Sequence, residues 1–398
     1  MYKIGNRELK VYNQVDQIDR MLWDSIRDKD NLLTDYNFLK TIEAANVFAC
    51  DYLYLEFYDK DDLICTMSGY TFTRDLGLFL DKTSRKILSA FRRIVSNLLY
   101  YKTVEIASPI SSGLPISIRS DVTERQLTGV VKLLRSYCAV NGIKLIVLRD
   151  FNDKNSSMEK VVLQTGFKMM LNLPITKMNI EWKSFDEYLS RLKIKYRRNI
   201  RKNMRKKAEY GIQTAIVKGR DSLEHLKSYV KLYQNVREKS KAGRVFIGEK
   251  YHISMVENLS DYSYWLQYFK EGELVAFSHL IAYQGHVYDR YIGLDYDVSN
   301  KAGLYFNSYY DIIEFAISHN LKSIDAGQTT YGVKSTVGFS VLPQRMYLWH
   351  ENVIFRILVA RIYNFLLNPE IENCHYAFKD NRYQHIWDGR EKFLTAAG

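Results

Sequence analysis

Proline is scarce in this 398-residue chain, with five residues, and cysteine scarcer still, with four. So little proline excludes long Pro-rich linkers. The cysteines, Cys50, Cys65, Cys138 and Cys374, stand far apart. They fit neither a disulfide framework nor a C-x-x-C metal spacing, and a reducing compartment is the simplest reading. No apolar run approaches the roughly 18 residues that a membrane span needs. The opening MYKIGNRELKVYNQ lacks the apolar core of a signal peptide, so a soluble, cytoplasmic protein is expected, with at most peripheral contact with the inner face of a membrane. A metal cluster, a Ser-His-Asp order and a phosphate loop are missing too, which leaves those enzyme classes without support.

Acidic residues are absent from one stretch. Between Arg191 and Lys207 there are ten Lys or Arg and no Asp or Glu, so of the net charge of +12 only +2 belongs to the rest of the chain. A charged run is usually a solvated helix face, but ten cations repel one another, and a localised anionic partner is the favoured reading. Arg197, Arg198, Arg201, Lys202 and Arg205 are the candidates for that contact. The phosphates of a tRNA, an acidic carrier protein or anionic lipid would each satisfy them, and Tyr196 and Tyr210 could stack on bases or pack into the core.

What the sequence has in plenty is apolar and aromatic: 46% hydrophobic residues, with 31 Tyr and 19 Phe. That argues for compact folding, and the length exceeds what one core usually supports. Two domains are expected, at 1–180 and 181–398. In the first, Tyr52 to Tyr58 and Leu63 to Met67 form a hairpin about Asp59-Lys-Asp-Asp62. Helices are expected at Ser84 to Tyr100 and, capped by Asp121-Val-Thr-Glu124, to about Ala139, with a buried strand at Ile143 to Leu148. In the second, Ser184-Phe-Asp-Glu187 opens a basic helix over 184–210, with Leu189, Leu192, Tyr196, Ile200 and Met204 as its apolar stripe. Strands follow at Tyr262 to Phe269, Glu273 to Tyr283 and His286 to Leu294, a helix at Leu304 to Ser318, strands at Lys322 to Ala326 and Val341 to His350, and a C-terminal helical tail. Each half ends a connection in Gly-Phe, at Gly166-Phe167 and Gly338-Phe339, a weak internal repeat that fits duplication or chance. The expected fold class is α/β (α+β), with mixed β-sheets flanked by helices.

Two stretches resemble a known family. Lys195-Tyr-Arg-Arg-Asn-Ile-Arg-Lys202 with Glu209-Tyr-Gly-Ile212 resembles the R-x-N-I-R…G-V signature of the Fem-type peptidyltransferases. Tyr291-Ile-Gly-Leu-Asp295, Leu304 to Tyr310 and Ile324-Asp-Ala-Gly-Gln-Thr-Thr-Tyr-Gly-Val-Lys-Ser-Thr-Val-Gly338 are similar to their C-terminal domain. The resemblance covers about 184–350 and is only architectural before that. It implies tandem GNAT-like domains of a bacterial-type N-acyltransferase. Such an enzyme joins an acyl or aminoacyl group, carried on aminoacyl-tRNA or as an acyl thioester of coenzyme A or a carrier protein, to a primary amine of a small molecule, peptide or cell-wall precursor. It implies no tightly bound cofactor, and Lys334 falls where Fem-type enzymes place a catalytically important lysine. The sequence departs from an ordinary GNAT acetyltransferase at Ser299-Asn-Lys-Ala-Gly303, which lacks the R/Q-x-x-G-x-G/A loop that cradles the coenzyme A pyrophosphate.

Acyl transfer to an amine passes through an oxyanion, so the site needs positive charge near the carbonyl oxygen and a route for the amine's proton. Lys334 meets the first need or is an exposed loop lysine. For the proton acceptor the candidates are His279, His286, Asp289 and Asp295, unless water or the leaving group takes the proton. Asp289, carried as a catalytic candidate, shares an expected strand face with Tyr291, and the pair is preferred as substrate ligands, with a structural ion pair of Asp289 as the rival reading. Gly327, Gln328, Thr329 and Tyr331 suit a polar substrate or merely a turn. His279 and Tyr305 complete the candidate substrate contacts, with a core role the competing reading for His279. The alternatives to an enzyme of this kind are a noncatalytic nucleic-acid-binding protein and a membrane-surface acyltransferase acting on lipid or cell-wall amines.

Overall fold

The computed structural model describes residues 2–79, 82–93, 95–152, 156–240, 245–367, 371 and 373–387. In chain order its strands are β1 (Tyr2–Ile4), β2 (Arg7–Tyr12), β3 (Asp51–Asp59), β4 (Asp62–Asp75), β5 (Tyr100–Ile106), β6 (Ile116–Ile118), β7 (Leu145–Phe151), β8 (Lys168–Asn179), β9 (Gln213–Lys218), β10 (Ser263–Lys270), β11 (Glu273–Tyr283), β12 (His286–Leu294), β13 (Ser323–Asp325) and β14 (Ser340–His350). The helices are α1 (Arg20–Ser25), α2 (Tyr36–Ala45), α3 (Lys82–Phe91), α4 (Glu124–Val140), α5 (Ser156–Gln164), α6 (Phe185–Arg191), α7 (Ile194–Glu209), α8 (Leu226–Lys239), α9 (Glu249–Leu259), α10 (Tyr296–Ala302), α11 (Leu304–Ser318), α12 (Tyr331–Thr336) and α13 (Val353–Leu366). The expected helix at Ser84 to Tyr100 stops at Phe91, and Ile94 of its apolar stripe lies outside the described residues.

The chain divides into two compact units. The first takes Met1–Leu39, Ala49–Asn172 and Gln344–Asn368, and the second takes Lys40–Phe48, Leu173–Pro343 and Pro369–Gly398. Each unit therefore draws on both sides of the 180/181 boundary expected from the sequence. In the first, Arg345–His350 of β14 pairs antiparallel with β7, and β5 pairs parallel with β7 among otherwise antiparallel neighbours. In the second, β12 pairs parallel with β13, β13 antiparallel with β8, and β11, β10 and β9 follow antiparallel. A parallel pair needs a crossover. Helix α4 makes it in the first unit and α11 in the second. Each sheet packs an apolar face on its helices, with Leu55, Val104, Leu127, Val131 and Ile146 in one core and Leu266, Leu280, Leu304, Ile313 and Ile324 in the other.

Local chemistry explains where the elements stop and start. Ser184 accepts from the Glu187 N–H at 3.1 Å and Glu187 accepts from the Lys183 N–H at 3.0 Å, so the expected cap is formed. The cap of α4 instead falls on Thr123 with Gln126, because Asp121 is held by Arg119 at 2.6 Å. The expected basic helix over 184–210 is broken into α6 and α7 at Leu192–Lys193. There the backbone turns to pair with a distant segment: Leu192 bridges to Phe378, and the Lys193 N–H donates to the Ala377 carbonyl at 2.9 Å.

The Gly-Phe repeat is one motif used twice. Phe167 N–H donates to the Val162 carbonyl and Phe339 N–H to the Lys334 carbonyl, each closing a helix end through a left-handed glycine, with φ of 90° at Gly166 and 96° at Gly338. Phe167 and Phe339 are both buried. The two glycines differ in surroundings: a Cβ on Gly338 would lie 2.4 Å from the Phe378 ring, whereas one on Gly166 would meet only the Arg356 guanidinium at 3.4 Å. Gly338→Ala is therefore expected to cost about 1–3 kcal/mol through strain and overpacking. Gly166→Ala should cost about 1 kcal/mol, because an arginine tip can move away. Urea unfolding midpoints of the two variants measure the difference, and equal losses would refute the packing part of the argument.

Candidate functional site

A strand inside a sheet is normally covered by its neighbours, yet Tyr288 to Ile292 of β12 are all partly accessible. The cause is the shortness of β13. It pairs with β12 only through His286, Val287 and Tyr288, and the chain turns away at Ala326–Gly327. From Asp289 onward that edge of β12 pairs with no strand among the described residues, at the carboxyl end of a parallel pair, the place where open α/β sheets hold ligands.

The register changes at this point. His279 lies opposite Tyr291 and Leu280 opposite Asp289, so Arg290 is an extra, bulged residue. The bulge overturns the expectation that Asp289 and Tyr291 share a face. Asp289 points with Leu280 towards α11, whereas Tyr291 points with His279 towards α8 and α9, where its ring meets Tyr233 and Tyr251 edge-on. His279 is fully buried on that opposite face, stacked 4.4 Å from Trp265 and hydrogen-bonded through Nδ1 to the Tyr251 hydroxyl at 3.0 Å. Burial drives its basicity well down, so the imidazole is neutral there. The structure thus brings Asp289 together with Lys334 and Tyr305, and separates them from His279 and Tyr291.

Lys334 lies in α12, inside the Gly327 to Gly338 connection, and is buried rather than an exposed loop lysine. Its ammonium donates to the Ala326 carbonyl at 2.5 Å. Burial draws its pKa down to about 8, opposed by the negative charges of Asp289 and Asp325. Asp289 keeps part of its surface open, yet protein surrounds the carboxyl closely enough to push it up to about 6 against the pull of Lys334. Near neutral pH the pair is an ammonium and a carboxylate, each within about a unit of changing state. Beside them runs a line of hydroxyls: Tyr309 to Tyr305 at 3.2 Å, and Tyr305 donating to Thr330 Oγ1 at 2.9 Å. Burial raises both phenols, with the charge of Asp289 adding to it.

The loop before Lys334 is strained and pinned. Gly327, Thr329 and Thr330 have φ of 67°, 95° and 51°, and a β-branched residue in that region persists only when its surroundings force it. Thr176 donates to the Gly327 carbonyl through its N–H at 2.8 Å and its hydroxyl at 2.7 Å. Gln328 Nε2 donates to the Leu173 carbonyl at 2.9 Å, and the Tyr331 hydroxyl to the Pro174 carbonyl at 3.1 Å. Gln328 and Tyr331 therefore hold the loop to the β8 backbone, while Thr329 is exposed and Gly327 has open space where a side chain would be.

Sequence reasoning missed Tyr309 and Asp325. The spacing of Tyr305 and Tyr309, four apart on α11, was the available signal for the first. Asp325 is bound into the turn, accepting from the Gly327 N–H at 3.0 Å and facing Lys177 at 3.3 Å. Between β12 and α11 the chain forms α10, capped by Asp295 and closed by Gly303. The Asp295 carboxylate accepts from the Asp297 and Val298 N–H groups at 2.9 and 3.4 Å, so these first donors of α10 are already used, and the Asn307 amide ties the corner to α7 by donating to the carbonyls of Asn203, Ala302 and Gly303.

Helix α7 turns Ile200 and Asn203 inward and leaves Arg198, Arg201, Lys202 and Arg205 exposed, with Arg197 half-exposed. Three of the ten cations are used internally: Arg191 with Glu187 at 3.3 Å, Lys207 with Asp311 at 2.8 Å, and Lys193 with the Tyr376 carbonyl at 2.9 Å. Among the described residues the other seven, these five with Lys195 and Lys206, have no carboxylate within ion-pair distance. The equivalent end of the parallel pair in the first unit is internally paired instead. Glu105 accepts from Tyr70 and Arg74 and faces Arg149, and Asp150 pairs with Arg149 and Asn172. Among the described residues no group of three His, Cys, Asp or Glu could hold a metal ion, and no helix is long and apolar enough to cross a membrane.

Solved structures similar to this chain show what the fold is shared with. FemX matches at 10% identity and a TM-score of 0.56 over 88% of this chain and all of that one. The C-terminal DUF2156 domain of a protein assigned as a lysylphosphatidylglycerol synthetase, from Agrobacterium fabrum, matches at 9% identity and 0.53 over 86% and 94%. A tandem GNAT protein of the clavulanic acid pathway matches at 8% identity and 0.46 over 87% and 99%. No curated protein matches the chain significantly. The sequence profile of the FemAB-like family, described as peptidoglycan biosynthesis/recognition, matches residues 14–384. With nearly its whole length inside that match, the chain belongs to the FemAB-like family.

Proposed function

We propose that this protein transfers an aminoacyl or acyl group from an anionic carrier to a primary amine, with the reaction centred on Lys334 and Asp289 at the open edge of β12 in the second unit. The observation that carries the reading is a buried lysine held as an ammonium beside an exposed strand edge and an aspartate whose carboxyl is pushed up to about 6. The amine nitrogen attacks the donor carbonyl, forming the C–N bond and an oxyanion. The buried Lys334 ammonium stabilises that oxyanion, and away from bulk solvent such a charge counts for more. Asp289 accepts the proton released by the amine, and the carbonyl re-forms as the C–O or C–S bond to the carrier breaks and that proton passes to the departing oxygen or sulfur. The hydroxyls of Tyr305, Tyr309 and Thr330 supply donors to a polar substrate at the same place.

Aminoacyl-tRNA is the donor best supported. The exposed cations of α7 form a stripe suited to a polyanion, and the Asp295 carboxylate takes the first N–H groups of α10 that a coenzyme A pyrophosphate would otherwise use. An acyl thioester on a carrier protein is the second donor this surface fits. The acceptor that agrees with the family is an amine on a cell-wall precursor peptide.

Lys334→Met keeps the buried volume while removing the charge, so thermal stability should hold or rise. Transfer should fall by about 10²–10³-fold, the scale of losing one oxyanion donor. Mass spectrometry of an amine-bearing cell-wall peptide incubated with charged tRNA reads it, and undiminished transfer by the Lys334→Met variant would sink the assignment. The kcat/KM profile should rise as pH passes about 6, where Asp289 ionises, and fall beyond about 8, where Lys334 loses its proton. A flat profile from pH 5 to about 9 would contradict both roles. Replacing Arg198, Arg201, Lys202 and Arg205 together by Ala should flatten the slope of log K against log salt for tRNA by about 3, with little change in transfer from a minimal acyl ester. Filter binding over a salt series measures it, and an unchanged slope places the tRNA elsewhere.

A further inference from the structure

Helix α13, in the first unit, has two apolar faces where a surface helix normally has one. Phe355, Val359, Ala360 and Tyr363 pack on Leu145, Val147, Met170, Met346 and Leu348. On the other side Ile354 is 70% exposed, Leu358 52% and Ile362 50%, and Phe365 is 79% exposed. Residues at that spacing share one face, so these side chains form a single row along the helix rather than scattered surface contacts. A contiguous row of this kind marks an interaction site.

The charges around the row say what covers it. The only charged residues in α13 are Arg356 and Arg361, and none is acidic. Arg361 is exposed beside Ile354 and Leu358, with a stem long enough to leave its guanidinium above an apolar layer. Arg356 lies on the opposite, packed side of the helix, where it donates to the His350 carbonyl at 3.4 Å and stands close enough to Arg135 for the two cations to repel. Arg361 is thus the charge of α13 beside the row, and no acidic residue of the helix offsets it. An isologous contact with a second copy would set the row and its arginine against themselves, with no carboxylate on α13 to meet the charge. An anionic lipid surface offers the apolar layer and the compensating charge together. At 14 residues α13 is too short to span a bilayer but of the size that lies within its surface.

We propose that α13 is an interfacial helix that seats the protein on anionic lipid, with Ile354, Leu358 and Ile362 in the acyl boundary and Arg361 among the headgroup phosphates. The contact is independent of the transferase reading, since it uses no residue of the Lys334 site.

The test is flotation of the full chain with vesicles of phosphatidylcholine alone or of equal parts phosphatidylcholine and phosphatidylglycerol. It is run in the background of the fourfold α7 alanine variant, so that the second basic surface does not contribute. That protein is expected to float with the phosphatidylglycerol vesicles and several-fold less with phosphatidylcholine. Adding Ile354→Glu and Leu358→Glu, both at exposed positions, should lower the partition coefficient by at least about tenfold with an unchanged melting temperature. Equal flotation of the two proteins, or none by either, would overturn the proposal. So would light scattering that shows a dimer in the absence of vesicles which the two glutamates convert to monomer, since a second copy would then own the row.

Discussion

Three residues of pairing between β12 and β13 govern the second unit. Were β13 longer, its backbone would satisfy the edge of β12 through Leu294, and the sheet would close over Asp289. Because it stops at Asp325, the strand edge stays open. The bulge at Arg290 turns Asp289 to the α11 side, and α12 carries Lys334 back towards the gap. The open edge follows from that early termination, and the bulge, set by the pairing of β12 with β11, aims Asp289 to the side where α12 brings the ammonium. The first unit shows the contrast. It has the same parallel pair, but there Glu105 and Asp150 are consumed by Tyr70, Arg74, Arg149 and Asn172.

Keeping a lysine in that position works against the ordinary preference for solvating charge. Lys334 answers it with one short hydrogen bond to the Ala326 carbonyl and the field of two aspartates. The arrangement holds only if the Ala326–Thr330 turn keeps its shape, and this explains why the turn is tied down so heavily from β8. Thr176, Leu173 and Pro174 fix Gly327, Gln328 and Tyr331, and the Gly338 cap fixes the other end of α12 through the Lys334 carbonyl. Strain at Thr329 and Thr330 is then a by-product of aiming one ammonium. Gln328 and Tyr331 read from sequence as substrate contacts because hydrogen-bonding side chains near a glycine look alike whether they face a ligand or a backbone.

The two basic or apolar surfaces obey different logic. On α7 the cations that face inward are paired, and those left over share one solvent face, so the remaining charge reaches solvent undiluted. On α13 charge is sparse and apolar area is what remains uncovered. A polyanion suits the first and a lipid surface the second, and the physical difference is whether desolvation or counterion release would drive the contact.

Much of the secondary structure from Ser184 onward was legible in sequence. The strands β10, β11 and β12, helix α11 and strand β14 follow from hydrophobic periodicity and turn residues, and the Ser184 cap from its spacing to Glu187. These are local signals, set by side-chain alternation and by which residues tolerate a given φ. What the sequence could not determine is everything that depends on a distant backbone partner. The break between α6 and α7 exists because Ala377 and Phe378 pair there, and Arg345–His350 completes the first unit only by reaching β7 from some two hundred residues away. The separation of Asp289 from Tyr291 and the sinking of His279 into an aromatic core turn on one bulged residue. A one-residue slip exchanges the two faces of a strand, and only the pairing of β12 with β11 records which residue slips.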